Sequence, residues 1–94
     1  MIFNYTITNP DGYQAYPPAV MPTMASHGVE VLVADYQSEG AEGAPGHVSV
    51  VLRFDSKEAA RAWYQSPEYQ AAKGIRTANS DGVAVICDGF VMPS

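Results

Sequence analysis

The dipeptide Ser66-Pro67, inside the stretch Ser56–Arg76 "SKEAARAWYQSPEYQAAKGIR", constrains the fold of this 94-residue chain more than any other feature. It stops one helix and starts another. The Ser66 hydroxyl can accept from the N–H groups of the turn that follows. Pro67 at a first helical position loses no hydrogen bond, because that N–H has no intrahelical partner anyway. Upstream, Asp55 and Ser56 are both natural N-caps, and Asp55 with Glu58 makes an Asp variant of a capping box. Ala59, Ala60 and Trp63 fall on one helical face. Beyond the break, Tyr69, Ala72 and Arg76 share a face, Ala71, Ile75 and Ala78 share its neighbour, and the helix runs to about Gly74 or Thr77. The pattern predicts two short helices set end to end, with a bend at Ser66-Pro67.

Strands surround this stretch. Ile2–Thr8 alternates, with Phe3, Tyr5 and Ile7 on one side and Ile2, Asn4, Thr6 and Thr8 on the other. "NPDG" at Asn9–Gly12 reads as a turn leading into a helix. Tyr13, Tyr16, Val20, Met24 and His27 form a helical stripe, but Pro17, Pro18 and Pro22 argue against one straight helix. The expectation is a helical turn through Tyr16, then a helix from about Ala19 with Pro22 in its first turn and Gly28 as C-cap. Val29–Tyr36 is a second strand, Ser38–Gly46 a loop by composition, and His47–Phe54 a third strand. "NSDG" at Asn79–Gly82 reads as a turn. Val83–Asp88, nearly all apolar, is expected as a strand inside the sheet, with Cys87 a buried, inert thiol. Phe90, Val91 and Met92 form an apolar tail with something to lie against, such as a partner subunit.

The resulting order, β-α-β-β-α-β, is the split βαβ pattern of a ferredoxin-like α+β fold, read as one domain over residues 1–94. Right-handed crossovers place the helices on one face of a four-stranded antiparallel sheet. Strand parity then assigns Phe3, Tyr5, Ile7, Val31, Val33, Val48, Val50, Leu52 and Phe54 to the helix side. Ile2, Asn4, Thr6, Leu32, Ala34, Tyr36, His47, Ser49, Val51 and Arg53 go to the opposite face. That mixture is too apolar for a solvated sheet face and too polar for a dry sheet–sheet contact. It suits either a semi-enclosed pocket or a water-filled face.

The spacing of Phe54, Ala60, Trp63, Tyr64, Ser66, Tyr69 and Arg76 resembles domain-of-unknown-function family 1330, within the dimeric α/β-barrel superfamily. Tyr13, Tyr16, Pro22, "SHG" at Ser26–Gly28, and Glu42-Gly43 twelve and eleven residues before Phe54 also resemble its pattern. Val29 after Gly28 and the Pro17-Pro18 pair depart from it. The resemblance implies a ferredoxin-like fold and a homodimer, and no established reaction.

A chain of this length buries roughly 60–65% of its unfolded surface, which makes pairing with a second copy attractive. A net charge of −5 and only 5 Lys and Arg argue against nucleic acid and anionic membrane surfaces as partners. The single cysteine forms no internal disulfide, and no basic leader or long apolar run is visible, so a cytoplasmic protein is expected.

Candidate chemistry is sparse. Arg53 on the open face could anchor a carboxylate or phenolate through its fork, or simply pair with an acid at the sheet rim. Arg76 is similar, and the resemblance adds interest to it. Asn4 and Ser49 could orient a ligand. His27 could move a proton, or sit at a helix end favoured by the dipole. Tyr64 and Tyr69 could donate to an oxyanion or be core aromatics. The spacing of His27 and His47 supports no metal site, and no G-x-G-x-x-G or Walker pattern implies a cofactor. Two functions remain: a homodimer that binds a small acidic or aromatic metabolite on its open face, with or without cofactor-free catalysis, and a non-catalytic dimerisation module.

Overall fold

A computed structural model of the chain describes residues 1–90. Its elements run β1 (Ile2–Ile7), α1 (Pro10–Tyr13), α2 (Tyr16–Ser26), β2 (Glu30–Asp35), β3 (Val48–Arg53), α3 (Lys57–Gln65), α4 (Pro67–Ala78) and β4 (Ser80–Val85). The strands form one 4-stranded antiparallel sheet in the order β2-β3-β1-β4. This is the ferredoxin-like α+β arrangement that the periodicity implies. Val91 and Met92 of the expected apolar tail lie outside the described residues, and Phe90 is exposed.

Ser66 does what its position demands. Its hydroxyl accepts from the Tyr69 N–H at 3.2 Å while donating to the Trp63 carbonyl at 2.7 Å, so one residue ends α3 and caps α4. The cap of α3 is Ser56, which accepts from the Ala59 N–H at 3.1 Å. Trp63, Tyr69 and Ala72 descend from these helices onto Phe3, Tyr5, Val48 and Leu52 of the sheet, and all are buried.

Four local expectations need correction. First, α2 is one helix from Tyr16, not a turn followed by a helix from Ala19. Pro17 and Pro18 occupy its first turn, where no N–H has a partner, so neither interrupts it. Pro22 is therefore interior, and only the bond to the Pro18 carbonyl is lost. The helix ends on a Schellman motif: Gly28 has φ 63°, the Gly28 N–H meets the Ala25 carbonyl at 3.4 Å, and the Val29 N–H meets the Met24 carbonyl at 3.0 Å.

Second, β2 contains a bulge. Val31 pairs with Leu52 but Val33 pairs with Val51, leaving Leu32 extra. Side chains after the bulge exchange faces. Ala34 and Tyr36 turn under the helices, and Val33 turns out.

Third, the fourth strand begins earlier than expected. Asn79 itself caps α4, its side chain donating to the Ile75 carbonyl at 2.7 Å, and its own carbonyl accepts from Thr8 at 2.9 Å. The turn is thereby compressed and β4 starts at Ser80. Fourth, β4 is an edge strand and not a central one. Val83 is 64% exposed, and Cys87 beyond the strand is exposed too, not buried. No helix among the described residues is long and apolar enough to cross a membrane.

Candidate functional site

The residues expected on the open face do not assemble into one site. Asn4 and Ser49 are cross-strand partners, with Asn4 Nδ2 donating to Ser49 Oγ at 3.2 Å. Both are already engaged by the loop that follows β2. Asn4 Oδ1 accepts from the Gly46 N–H at 2.8 Å, its Nδ2 donates to the Gly46 carbonyl at 3.1 Å, and Ser38 and Ser49 share a 2.7 Å hydroxyl contact. Arg53 pairs at the rim with Glu30 at 3.7 Å. Both side chains are largely exposed, and such a pair is worth about 0–1 kcal/mol. A hollow of about 280 Å³ lies beside it, walled by Ile2, Leu32, Val51 and Cys87 among others.

His27 is the C-cap residue of α2, 4.0 Å from Glu68. Tyr64 is half-buried, with the Lys73 ammonium 5.2 Å from its ring centre. Tyr69 is fully buried, its ring 4.0 Å from that of Trp63. Arg76, although grouped with Arg53 in the sequence reading, lies under the helices on the other side of the sheet. Its guanidinium carbon is 5.1 Å from the Phe3 ring centre and 5.6 Å from that of Tyr5.

A second cavity, smaller and more apolar, is also on the helix side. It holds about 120 Å³ between α2 and the sheet. Phe3, Tyr5, Val50 and Leu52 form its floor, and Tyr16, Val20 and Met24 of α2 cover it. Trp63 of α3 also lines it, and Ala34 of β2 and the adjoining Tyr36 form a further wall. The bulge in β2 is what brings Ala34 and Tyr36 to it. Sequence parity missed this wall, because a bulge leaves no mark on an alternating apolar pattern.

All 6 tyrosines of the chain are connected, and Tyr5, Tyr16 and Tyr36 line this cavity. The Tyr5 and Tyr13 hydroxyls are 2.6 Å apart, and those of Tyr13 and Tyr36 are 2.8 Å apart. Tyr16 and Tyr69 share a 3.1 Å hydroxyl contact, and the Tyr64 ring stands 5.4 Å from that of Tyr69. The Tyr13 and Tyr16 rings, 5.5 Å apart, join the two groups. Burial pushes the Tyr5 phenol up to about 12, partly offset by its hydrogen bond to Tyr13. Burial raises Tyr13 and Tyr16 further still, helped by their hydroxyl neighbours. Burial works against the Arg76 charge, but the Tyr69 and Tyr16 oxygens outweigh it, so its pKa is raised.

Phenols whose folded pKa is raised stabilise the fold fully below their unfolded value of about 10, and that contribution is lost as pH climbs through the folded value. The urea midpoint should therefore stay level up to about pH 9 and fall above about pH 10. Tyrosinate absorbance recorded in parallel should show the buried phenols ionising with unfolding. A midpoint that rises in that window would contradict the burial account.

A βαββαβ sheet with helices on one face and an aromatic cavity between the layers defines a small α+β domain of the ferredoxin-like class. A family model described as Domain of unknown function (DUF1330) matches residues 1–90, and the chain belongs to that family. No curated protein matched the chain. Among the described residues no group of three or more His, Cys, Asp or Glu side chains is placed to hold a metal ion.

Proposed function

We propose that this protein binds a small, single-ring, largely apolar molecule in the cavity between α2 and the sheet. The observation that carries the reading is the cavity itself: about 120 Å³, walled by aromatic and aliphatic side chains, in a domain small enough to be expected to pack solid. An apolar cavity of about 150 Å³ takes up benzene, so the size suits one ring and little more. The hydroxyls of Tyr5, Tyr16 and Tyr36 are the polar groups available to orient it. Placing the pocket here rather than on the open face follows from the bulge and from the engagement of Asn4 and Ser49 with the loop.

Trp63 lines the cavity and reports on it. Benzene, toluene, phenol and nitrobenzene should each perturb Trp63 fluorescence, and at about ten times Kd each should stabilise the protein by about 1.4 kcal/mol. Ala34→Phe should fill the cavity and abolish both effects without loss of the native circular dichroism, since Ala34 is exposed at the cavity edge. Unchanged binding by that variant, or no binding by any of the four compounds, would refute the reading.

The open face supports a second copy of the chain as partner. Val33, Val51, Ile2 and Val85 stand in register across all four strands, an apolar row that no helix covers. Such a row on a solvated antiparallel face is unusual and marks an interaction surface. Light scattering should give the mass of a homodimer, and Val85→Lys should shift it to one chain. A single-chain mass for the unaltered protein would leave the row unexplained and end the dimer reading.

A further inference from the structure

We infer that the ligand of this cavity carries a weakly acidic hydroxyl, as in a phenol or an enol, and is held there as its anion. The inference rests on the cavity reading above and names the chemical class of the occupant. Arg76 motivates it. The residue is 6% exposed, yet no carboxylate among the described residues lies within ion-pair distance of it. Its Nε is buried without a hydrogen-bond partner among the described residues. Buried cations are ordinarily paired, because an uncompensated charge in a low-dielectric interior is strongly disfavoured.

Among the described residues, the groups that face Arg76 are aromatic rings and phenols, with no carboxylate. They are the rings of Phe3 and Tyr5 from β1, Tyr69 from its own helix, and Tyr16 from α2. Phe3, Tyr5 and Tyr16 are also walls of the cavity, so the cation backs onto it through one layer of side chains. A positive charge at that range favours the ionised form of an acid bound in the cavity. The tyrosines cannot supply the missing anion themselves, since burial holds Tyr5, Tyr13 and Tyr16 in their neutral forms. A carboxylate is the poorer candidate. Its two oxygens call for the guanidinium fork directly, and here the Phe3 and Tyr5 rings stand against the fork.

The hydroxyl chain provides the matching route for the proton. Tyr5 lines the cavity and is linked through Tyr13 to Tyr36, which is 43% exposed. The ligand O–H bond breaks and its proton passes to a hydroxyl of the chain, each phenol handing on its own, until Tyr36 releases one to water. Every phenol ends neutral, nothing is oxidised or reduced, and the new negative charge is offset by Arg76. A neutral hydrocarbon ligand would need neither the buried cation nor the chain.

The test compares para-nitrophenol, whose phenolate has its own visible band, with nitrobenzene, which cannot ionise. Bound para-nitrophenol should show the phenolate band at pH values where the free compound is protonated, its ionisation constant raised about tenfold or more. Arg76→Met should remove the shift, and Arg76→Lys should keep part of it. Should Arg76→Met fail to fold, the spectral titration of the unaltered protein decides alone. Para-nitrophenol bound with the spectrum of the neutral phenol would overturn this inference and leave the cavity reading standing if nitrobenzene still quenches Trp63. Quenching by neither compound would overturn both.

Discussion

Trp63→Ala should bring the domain to the edge of unfolding. Trp63 is 0% exposed. Its ring stands 4.0 Å from Tyr69, 5.5 Å from Phe54 and 6.4 Å from Phe3, measured between centres. Its Nε1 donates to Thr23 Oγ1 at 3.0 Å, and Thr23 in turn donates to the Val20 carbonyl. One side chain therefore ties α3 to α2, α4 and the sheet. Truncating a buried Trp costs about 3–5 kcal/mol, most of what a domain with a total stability of about 5–15 kcal/mol can lose. A urea titration should show the midpoint falling to a small fraction of its original value. Trp63→Phe, which keeps one six-membered ring but loses the donor and part of the indole's volume, should lie between. A Trp63→Ala midpoint close to the parent's would mean that the helix layer is held by something else.

Gly46→Ala should be strongly destabilising although Gly46 lies outside the core. A Cβ at Gly46 would collide with the Tyr5 carbonyl carbon and oxygen and with the Thr6 nitrogen. That backbone cannot retreat, because β1 is paired on both sides, to β3 and to β4. The same close approach lets Asn4 grip Gly46 at both its N–H and its carbonyl. Forced overpacking of this kind costs about 1–3 kcal/mol. In a domain of this size each kcal/mol lowers Tm by about 4–8 °C. Gly74→Ala is the control. Gly74 lies within α4 with nothing near its missing Cβ, so alanine there should stabilise by about 0.5–1 kcal/mol. A melting scan that ranks the two variants the other way would refute the packing argument.

The helical half of the fold was legible because its determinants are local. Ser66-Pro67 stops and starts helices by hydrogen bonds within its own turn, and Gly28 ends α2 through its own φ. Spacing alone put Tyr69, Ala72 and Arg76 on one helical face and marked Trp63 and Tyr69 as core aromatics, and all four residues are buried. The inner sheet residues Phe3, Tyr5, Val48 and Leu52 followed from a two-residue period that β1 and β3 keep without interruption.

The site was less legible, because it depends on pairing between segments distant in the chain. Alternation places Leu32, Ala34 and Tyr36 together on the open face. The mismatch in register between β2 and β3 keeps Leu32 there and carries the other two beneath the helices. Arg53 and Arg76 look alike as isolated cations, but one finds Glu30 at the rim and the other, among the described residues, finds aromatic rings and phenols. Asn4 and Ser49 were placed on the same face of the sheet, where they are cross-strand partners, yet their polar atoms serve the loop that ends at Gly46.

The order of elements, the helix junction and the inward faces were thus written into the chain residue by residue, since caps, prolines and alternation act within a turn or two. The cavity, its tyrosine network and the burial of Arg76 among aromatic rings were decided by the tertiary structure. They arise where β2 slips by one residue against β3 and where α2 and α4 converge over β1, and no local pattern encodes either meeting.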